Sequence, residues 1–386
     1  MSQEENKQQN KEFLPKKEIK EPQKRTRGWW IKTALLLILV AVSIFMLFTL
    51  GDYLAGEETL TFSQLLHTMN YPLLGVLLGV VLIYLLVESA KYSYMLKVYT
   101  GRFHFATSIK TMFIGKYYDG ITPFNTGGQP FQIYYLHKKK DIPHGAATAI
   151  PVLRYIMNVF VLSAISAVML SLAPRYLTSS TLSLTVLIIS WISFVVNLAM
   201  PITVILFSIF PKACKKLIVV LVRFLAKLHL VKNRYKTTEK FVRELTEYSQ
   251  TLKQVGREIY KFIPLILLSA MESILYMTIP FFVVTAIANV TPSVELAMQI
   301  ACLVIITRYT ALLVPTPGNT GAAEAAGSLV FVTVAATVPG FGSVIGWVIL
   351  TWRFIIYYSY LLVGIGINIF EIIGDSVRSK KTQNKQ

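Results

Sequence analysis

Residues 122–130 read TPFNTGGQP and residues 316–324 read TPGNTGAAE. The string T-P-x-N-T-G thus occurs twice, half a chain apart. Proline cannot continue a helix, glycine frees the backbone, and Asn and Thr offer short hydrogen bonds. Each string therefore reads as a break with turn chemistry. Yet both lie among long apolar runs. Of 386 residues, 54% are hydrophobic and only 15% charged, against roughly a quarter charged in a soluble domain. Runs such as ALLLILVAVSIFMLFTLG (34–51) and TLSLTVLIISWISFVVNLAMPITVILFSIF (181–210) approach or exceed the roughly 20 apolar residues that carry a helix across a bilayer. The expected fold class is an all-α polytopic membrane protein, and a helix break at bilayer depth is the feature to be explained.

The net charge of +18 sits at the ends of the apolar spans. That placement fits an anionic inner-leaflet lipid surface and the positive-inside bias better than nucleic acid, for which no motif is present. Cys214 and Cys302 lie in different segments and the five histidines are scattered. No disulfide framework, metal site or cofactor is expected. Residues 1–28 read as a disordered basic tail, and the apolar run after them as an uncleaved anchor.

Basic flanks set the topology. Lys16, Lys17, Lys20, Lys24, Arg25 and Arg27 place the N-terminal tail in the cytoplasm of a cell-membrane protein. Spanning helices are expected at about 29–50, 71–96, 145–172, 181–209, 262–288 and 341–369, six in all. Between them, 105–121 and the segment after TPFNTGG are too short to span and are flanked by Lys97, Arg102 and Lys138 to Lys140. A re-entrant hairpin dipping in from the cytoplasm accounts for them. A second hairpin, 293–314 and 321–337, has no basic flanks and enters from outside. The basic segment 211–261 reads as amphipathic and lying on the inner leaflet. Residues 371–386 form a second cytoplasmic tail, so 29–370 is the membrane domain.

The two breaks belong to a longer repeat. Glu88-Ser89 matches Glu272-Ser273, Lys116-Tyr117 matches Arg308-Tyr309, and Arg154-Tyr155-Ile156 matches Arg353-Phe354-Ile355, all in the same order around the T-P-x-N-T-G strings. Repeat 1 covers about 71–172 and repeat 2 about 262–369. The first helix of repeat 1 runs inward and that of repeat 2 outward, so the repeat is inverted, a recurrent transporter design with broken helices meeting near the midplane. Non-helical backbone survives at that depth only against protein or water.

The candidate substrate site follows. Thr122, Asn125, Thr126, Gly127, Gly128 and Gln129 form the first tip, and Thr316, Asn319, Thr320 and Gly321 the second. Asn125, Thr126, Asn319 and Thr320 are expected to cap helices whose N-terminal N–H groups face the middle, a setting for an anion such as phosphate. Arg154, Arg308 and Arg353 are expected at the substrate too, because a charge inside an apolar run costs roughly 2.5–3.5 kcal/mol even on a lenient scale. Glu88, Lys116, Asp119, Glu272 and Glu324 are charge partners or ion-coupling groups, with Glu88, Glu272 and Glu324, or the phosphate of a bound lipid, the candidate partners of Arg154 and Arg353. Local pairing would put Glu88 on Lys91 and Asp119 on Lys116, each at i,i+3. The tyrosines of KYYDG and IIYYSYLL line a headgroup cavity or pack as an interfacial belt, and Gly75 and Gly79 hint at close helix packing. No catalytic residue stands out.

The segments TPFNTGGQPFQIYYL and PTPGNTGAAEAA within such a bundle resemble the lysylphosphatidylglycerol synthase transmembrane domain, the flippase-like domain family. The resemblance covers about residues 30–370 and implies translocation of a phospholipid made by a separate C-terminal transferase domain. This chain ends at EIIGDSVRSKKTQNKQ, so a stand-alone bundle without that transferase is expected. The leading expectation is a lipid translocase for an anionic phospholipid or glycolipid headgroup. The alternatives are a membrane enzyme modifying a lipid headgroup and an ion-coupled small-solute transporter. Headgroup, direction, coupling ion and homo-oligomeric state stay open.

Overall fold

The computed structural model describes residues 59–125, 127–177, 184–210, 259–335 and 337–367, with isolated positions near 41–45 and 215–242. The helix expected at 29–50, the two tails and nearly all of the amphipathic segment 211–261 lie outside the described residues. Among those described, the chain is helical and holds no strand. In chain order the helices are α1 (Phe62–Thr68), α2 (Tyr71–Thr100), α3 (Phe105–Ile121), α4 (Gly128–Tyr134), α5 (His144–Tyr176), α6 (Leu184–Ile209), α7 (Ile263–Ile287), α8 (Val294–Leu312), α9 (Ala322–Ala335) and α10 (Gly342–Ile367). A π-helical turn, Tyr135–Lys139, extends α4, and a second, Phe354–Tyr358, interrupts α10 directly after Arg353.

Six described helices are long and apolar enough to cross a membrane: α2, α5, α6, α7, α8 and α10. The number equals the expected one, but the membership differs. α8, expected as the inbound limb of a hairpin, has 19 residues, which at 1.5 Å per residue is about 28 Å and close to a full hydrocarbon core.

Local chemistry fixes the helix ends. Asn70 caps α2 by accepting from Leu73 N at 3.2 Å, and Gly101, with φ 77°, closes it. Ser293 caps α8 through Leu296 N at 3.1 Å. α2 and α7 pack antiparallel along much of their length. At one end Asn70 N donates to Ala286 O at 2.7 Å, and Asn70 Nδ2 to Asn289 Oδ1 at 3.1 Å. At the other, Tyr94 OH donates to Lys261 O at 2.5 Å. Midway, fully buried Lys91 of α2 pairs with Glu272 of α7 and donates to Asn158 Oδ1 of α5 at 3.0 Å. Three helices are thus pinned at one level. Gly75 and Gly79, by contrast, have no atoms within 4 Å of a Cβ position, so they do not mark close packing.

α3 packs against α4, and α8 against α9, as two helical hairpins. Their tips share a backbone signature. Phe124 and Asn125 have φ 58° and 54°, and the matching Gly318 and Asn319 have φ 59° and 54°. The tips meet: Pro123 and Pro317 form an antiparallel bridge, and Gly318 N donates to Thr122 O at 3.4 Å. Tyr357 of α10 braces the joint from below, donating from its hydroxyl to Gly120 O at 3.0 Å. A Cβ at Gly318 would collide with the Tyr357 ring.

Two stability predictions follow from this frame. Lys91→Met alone leaves Glu272 buried without its counter-charge and is expected to lose about 3–5 kcal/mol, while Lys91→Met with Glu272→Met recovers most of it. Thermal unfolding in detergent separates the two, and equal losses would contradict the pairing. Gly318→Ala combines a left-handed φ with the Tyr357 collision and is expected to lower the melting temperature, with partial recovery when Tyr357→Ala is added.

Candidate functional site

Below the joined tips lies a cavity of about 260 Å³, walled by α2, α3, α5, α7, α8 and α10. Of the residues expected at the site, Asn125, Asn319, Arg154, Arg308, Arg353, Glu88, Lys116, Asp119 and Glu272 line it. Thr122, Gly127, Gly128, Gln129, Thr316, Thr320, Gly321 and Glu324 do not. Thr126 lies outside the described residues. The tip residues that stay out of the cavity shape its roof.

The helix ends beneath the tips differ from the expected arrangement. Gly128 N donates to Asp119 Oδ1 at 2.7 Å, and Gly127 N to Thr122 Oγ1 at 2.9 Å. In the second hairpin Gly321 N donates to Glu324 Oε2 at 2.7 Å. The caps are therefore Asp119, Thr122 and Glu324, rather than Asn125, Asn319 and Thr320. For Asp119 and Glu324 the physical reason is strength, since an ionised carboxylate accepts from a helix-start N–H more strongly than an amide or hydroxyl oxygen; Thr122 owes its place to the turn that brings its hydroxyl to Gly127 N. These first donors are consumed by the protein itself. An anion in the cavity must be held by side chains.

The charge pairs also differ from the local i,i+3 expectation. Glu88 meets Lys116, at 3.1 Å, and Arg154, at 3.9 Å, instead of Lys91. Lys91 turns to Glu272, and Asp119 faces its helix-end donor instead of pairing with Lys116. The i,i+3 option loses because buried helices satisfy charges across the interface, where both partners are desolvated together. Arg353 forms a tight lock: its Nε donates to Glu324 Oε1 at 2.8 Å and its Nη2 to Gly318 O at 3.3 Å. Tyr358 OH donates to the same carboxylate oxygen at 3.0 Å. One carboxylate thus holds the α9 start, the second tip and α10 together.

Tyrosines stand under the cations. Arg154 lies 4.5 Å above the Tyr92 ring, Arg308 5.8 Å from Tyr276, and Arg353 4.4 Å from Tyr357. Lys116 lies between Tyr84, at 5.9 Å, and Tyr360, at 5.2 Å. Such stacks favour a cation removed from water. Of the tyrosine-rich stretches, Tyr357 and Tyr360 line the cavity. Tyr118 instead stacks on Phe131, centroids 3.4 Å apart, beside a separate apolar groove.

Polar cavity residues that were not anticipated include Tyr92, Tyr276, Gln132 and Asn158. A signal existed for two of them. Glu88-Ser89-x-x-Tyr92 and Glu272-Ser273-x-x-Tyr276 are the same pattern, and the i,i+4 spacing puts each tyrosine on the glutamate's face of the helix. Gln132 Nε2 donates to Tyr92 OH at 2.6 Å and to Thr111 O at 3.1 Å, linking the cavity wall to the first hairpin. Nothing in its sequence context marks it. Among the described residues, no group of three or more His, Cys, Asp or Glu could hold a metal ion.

A comparison with curated proteins gives no match. The family described as the lysylphosphatidylglycerol synthase TM region matches residues 25–364. That range takes in both hairpins, both tips and every residue around the cavity, and the chain belongs to this family of multi-pass membrane proteins.

Proposed function

We propose that this protein moves an anionic lipid headgroup between membrane leaflets, through the cavity beneath the two tips. The carrying observation is the cavity's content. Four cations, Lys116, Arg154, Arg308 and Arg353, line a space inside an apolar bundle, at a depth where each would be costly without a purpose. The family match and the paired tips support the same reading. On it, the two hairpins are re-entrant limbs of an inverted repeat entering from opposite faces, and both termini are cytoplasmic. The headgroup occupies the cavity while the acyl chains stay in lipid. Among the described residues the joint between the tips includes a bridge and a hydrogen bond of 3.4 Å; on this reading it opens and reforms during a cycle.

Reconstitution into liposomes with fluorescent lipids tests this. An anionic lipid is expected to equilibrate between leaflets faster than in protein-free vesicles, and equal rates would sink the proposal. Turnover of a lipid in detergent would favour the headgroup-modifying enzyme. Stabilisation by a water-soluble solute and by no lipid would favour a solute transporter.

The arginines should separate in the same assay. Arg154→Lys keeps the charge but loses the planar fork and the stack on Tyr92, so transport is expected to fall about tenfold, ~1.4 kcal/mol, with unfolding unchanged. Arg353→Lys breaks the lock on Glu324 and Gly318 and is expected to lower the melting temperature as well. Identical behaviour of the two variants would contradict this division.

A further inference from the structure

Arg308 is held differently from every other cation of the cavity. Lys116 has Glu88 at 3.1 Å, Arg154 shares that carboxylate at 3.9 Å, and Arg353 has Glu324 at 2.8 Å. Lys91, behind the wall, has Glu272. Arg308 has no carboxylate within ion-pair distance among the described residues. Its neighbours in electrostatic reach are the phenols of Tyr155, Tyr276 and Tyr309, and its buried Nε has no hydrogen-bond partner. A guanidinium surrounded by phenols, one of them its hydrogen-bond partner Tyr276, and by no carboxylate lacks a counter-ion. The space next to it is the cavity itself.

The charge count agrees with this single vacancy. The lining carries the cations Lys116, Arg154, Arg308 and Arg353 against the carboxylates Glu88, Asp119 and Glu272. The two wall partners, Lys91 and Glu324, cancel one another. One positive charge is left over. Asp119 offsets the second cation near Glu88, so the surplus resides at Arg308.

We infer that Arg308 is the seat of the substrate's negative charge and that the cavity selects headgroups carrying one such charge, a phosphodiester monoanion. This rests on the translocase reading and adds a charge rule to it. A monoanion beside Arg308 makes the loaded site neutral, the state a low-dielectric interior favours. A phosphomonoester dianion overfills it by one charge. A zwitterionic headgroup brings a cation along with its phosphate and so leaves the site with its surplus positive charge, and an uncharged headgroup leaves Arg308 uncompensated. The planar fork of Arg308 matches two phosphate oxygens.

The test uses full-length protein in vesicles with fluorescent phosphatidylglycerol, phosphatidylcholine and phosphatidic acid at pH 8, where they carry a monoanionic, a zwitterionic and a largely dianionic headgroup. A second arm measures the melting temperature of detergent-solubilised protein with the short-chain forms of the same lipids. Wild type is expected to move the monoanion about tenfold faster than the others, a one-charge mismatch of even ~1.4 kcal/mol being sufficient. Arg308→Gln should lose this preference and Arg308→Lys should keep it. Asp119→Asn retains an acceptor for Gly128 N but removes one negative charge, so it should shift preference toward the dianion. If Arg308→Gln does not fold, the Asp119→Asn shift decides the matter. Lipid movement without charge preference, or an unchanged preference in Asp119→Asn, overturns the inference and leaves the translocase reading intact. Stabilisation of wild type but not of Arg308→Gln by the short-chain monoanion, with no lipid movement, supports Arg308 and removes the translocase. Absence of both effects removes both.

Discussion

A helix that stops inside a membrane must find protein for every donor and acceptor it exposes, because the lipid offers none. This chain breaks two helices at its paired tips, and the joint between them satisfies exposed backbone from within the protein. Pro123 and Pro317, which cannot donate, face one another in the bridge. The left-handed turns at Phe124-Asn125 and Gly318-Asn319 bring each chain round to its second helix. Asp119, Thr122 and Glu324 take the donors at the helix starts. Once those groups are satisfied from within, a polar cavity can persist below them without water having to solvate the backbone.

The same constraint governs the charges. Glu88, Lys91, Glu272, Glu324 and Arg353 are all nearly inaccessible, and each sits on an opposite charge from another helix. Such pairs give little net stability over apolar packing, but breaking one is expensive. They therefore act as fixed points. Lys91 sets α2 against α7 and α5, and Glu324 sets the second tip against α10. Between these fixed points the remaining cations can stand over tyrosine rings and remain available to a ligand.

Much of this was legible in the residues. Proline and glycine marked both breaks, and α3 spans 105–121 as its pattern indicated. The order Glu-Ser, basic-Tyr, tip, Arg-aromatic named most of the charged residues of the cavity wall in advance. Pairing was legible only in part: of Glu88, Glu272 and Glu324, Arg154 meets the first and Arg353 the last. Glu88 and Lys91 are neighbours in sequence, but which of them faces α7 depends on the rotation of α2 about its axis, and that is set by packing with several helices at once. The caps were missed for a related reason. Asp119 lies nine residues before Gly128, across a turn, so only the folded hairpin brings it to the N–H.

Repetition and function part company at the tips. Phe124 and Asn125 are exposed, whereas Gly318, Asn319 and Thr320 are buried. The second tip is fastened by Arg353, Glu324 and Tyr358. At the first tip Pro130 occupies the position that matches Glu324, and the carboxylate at the helix start comes instead from Asp119, which accepts from Gly128 N. The first tip also carries a bulky residue, Phe124, at φ 58°, a conformation that costs about 1–3 kcal/mol in a non-glycine residue. Displacing the second tip breaks a buried ion pair, whereas the first is held through Asp119 and carries the strain of Phe124. Two copies of one turn are thus fastened differently, the second by an ion pair between Glu324 and Arg353 and the first by a carboxylate from its own preceding helix.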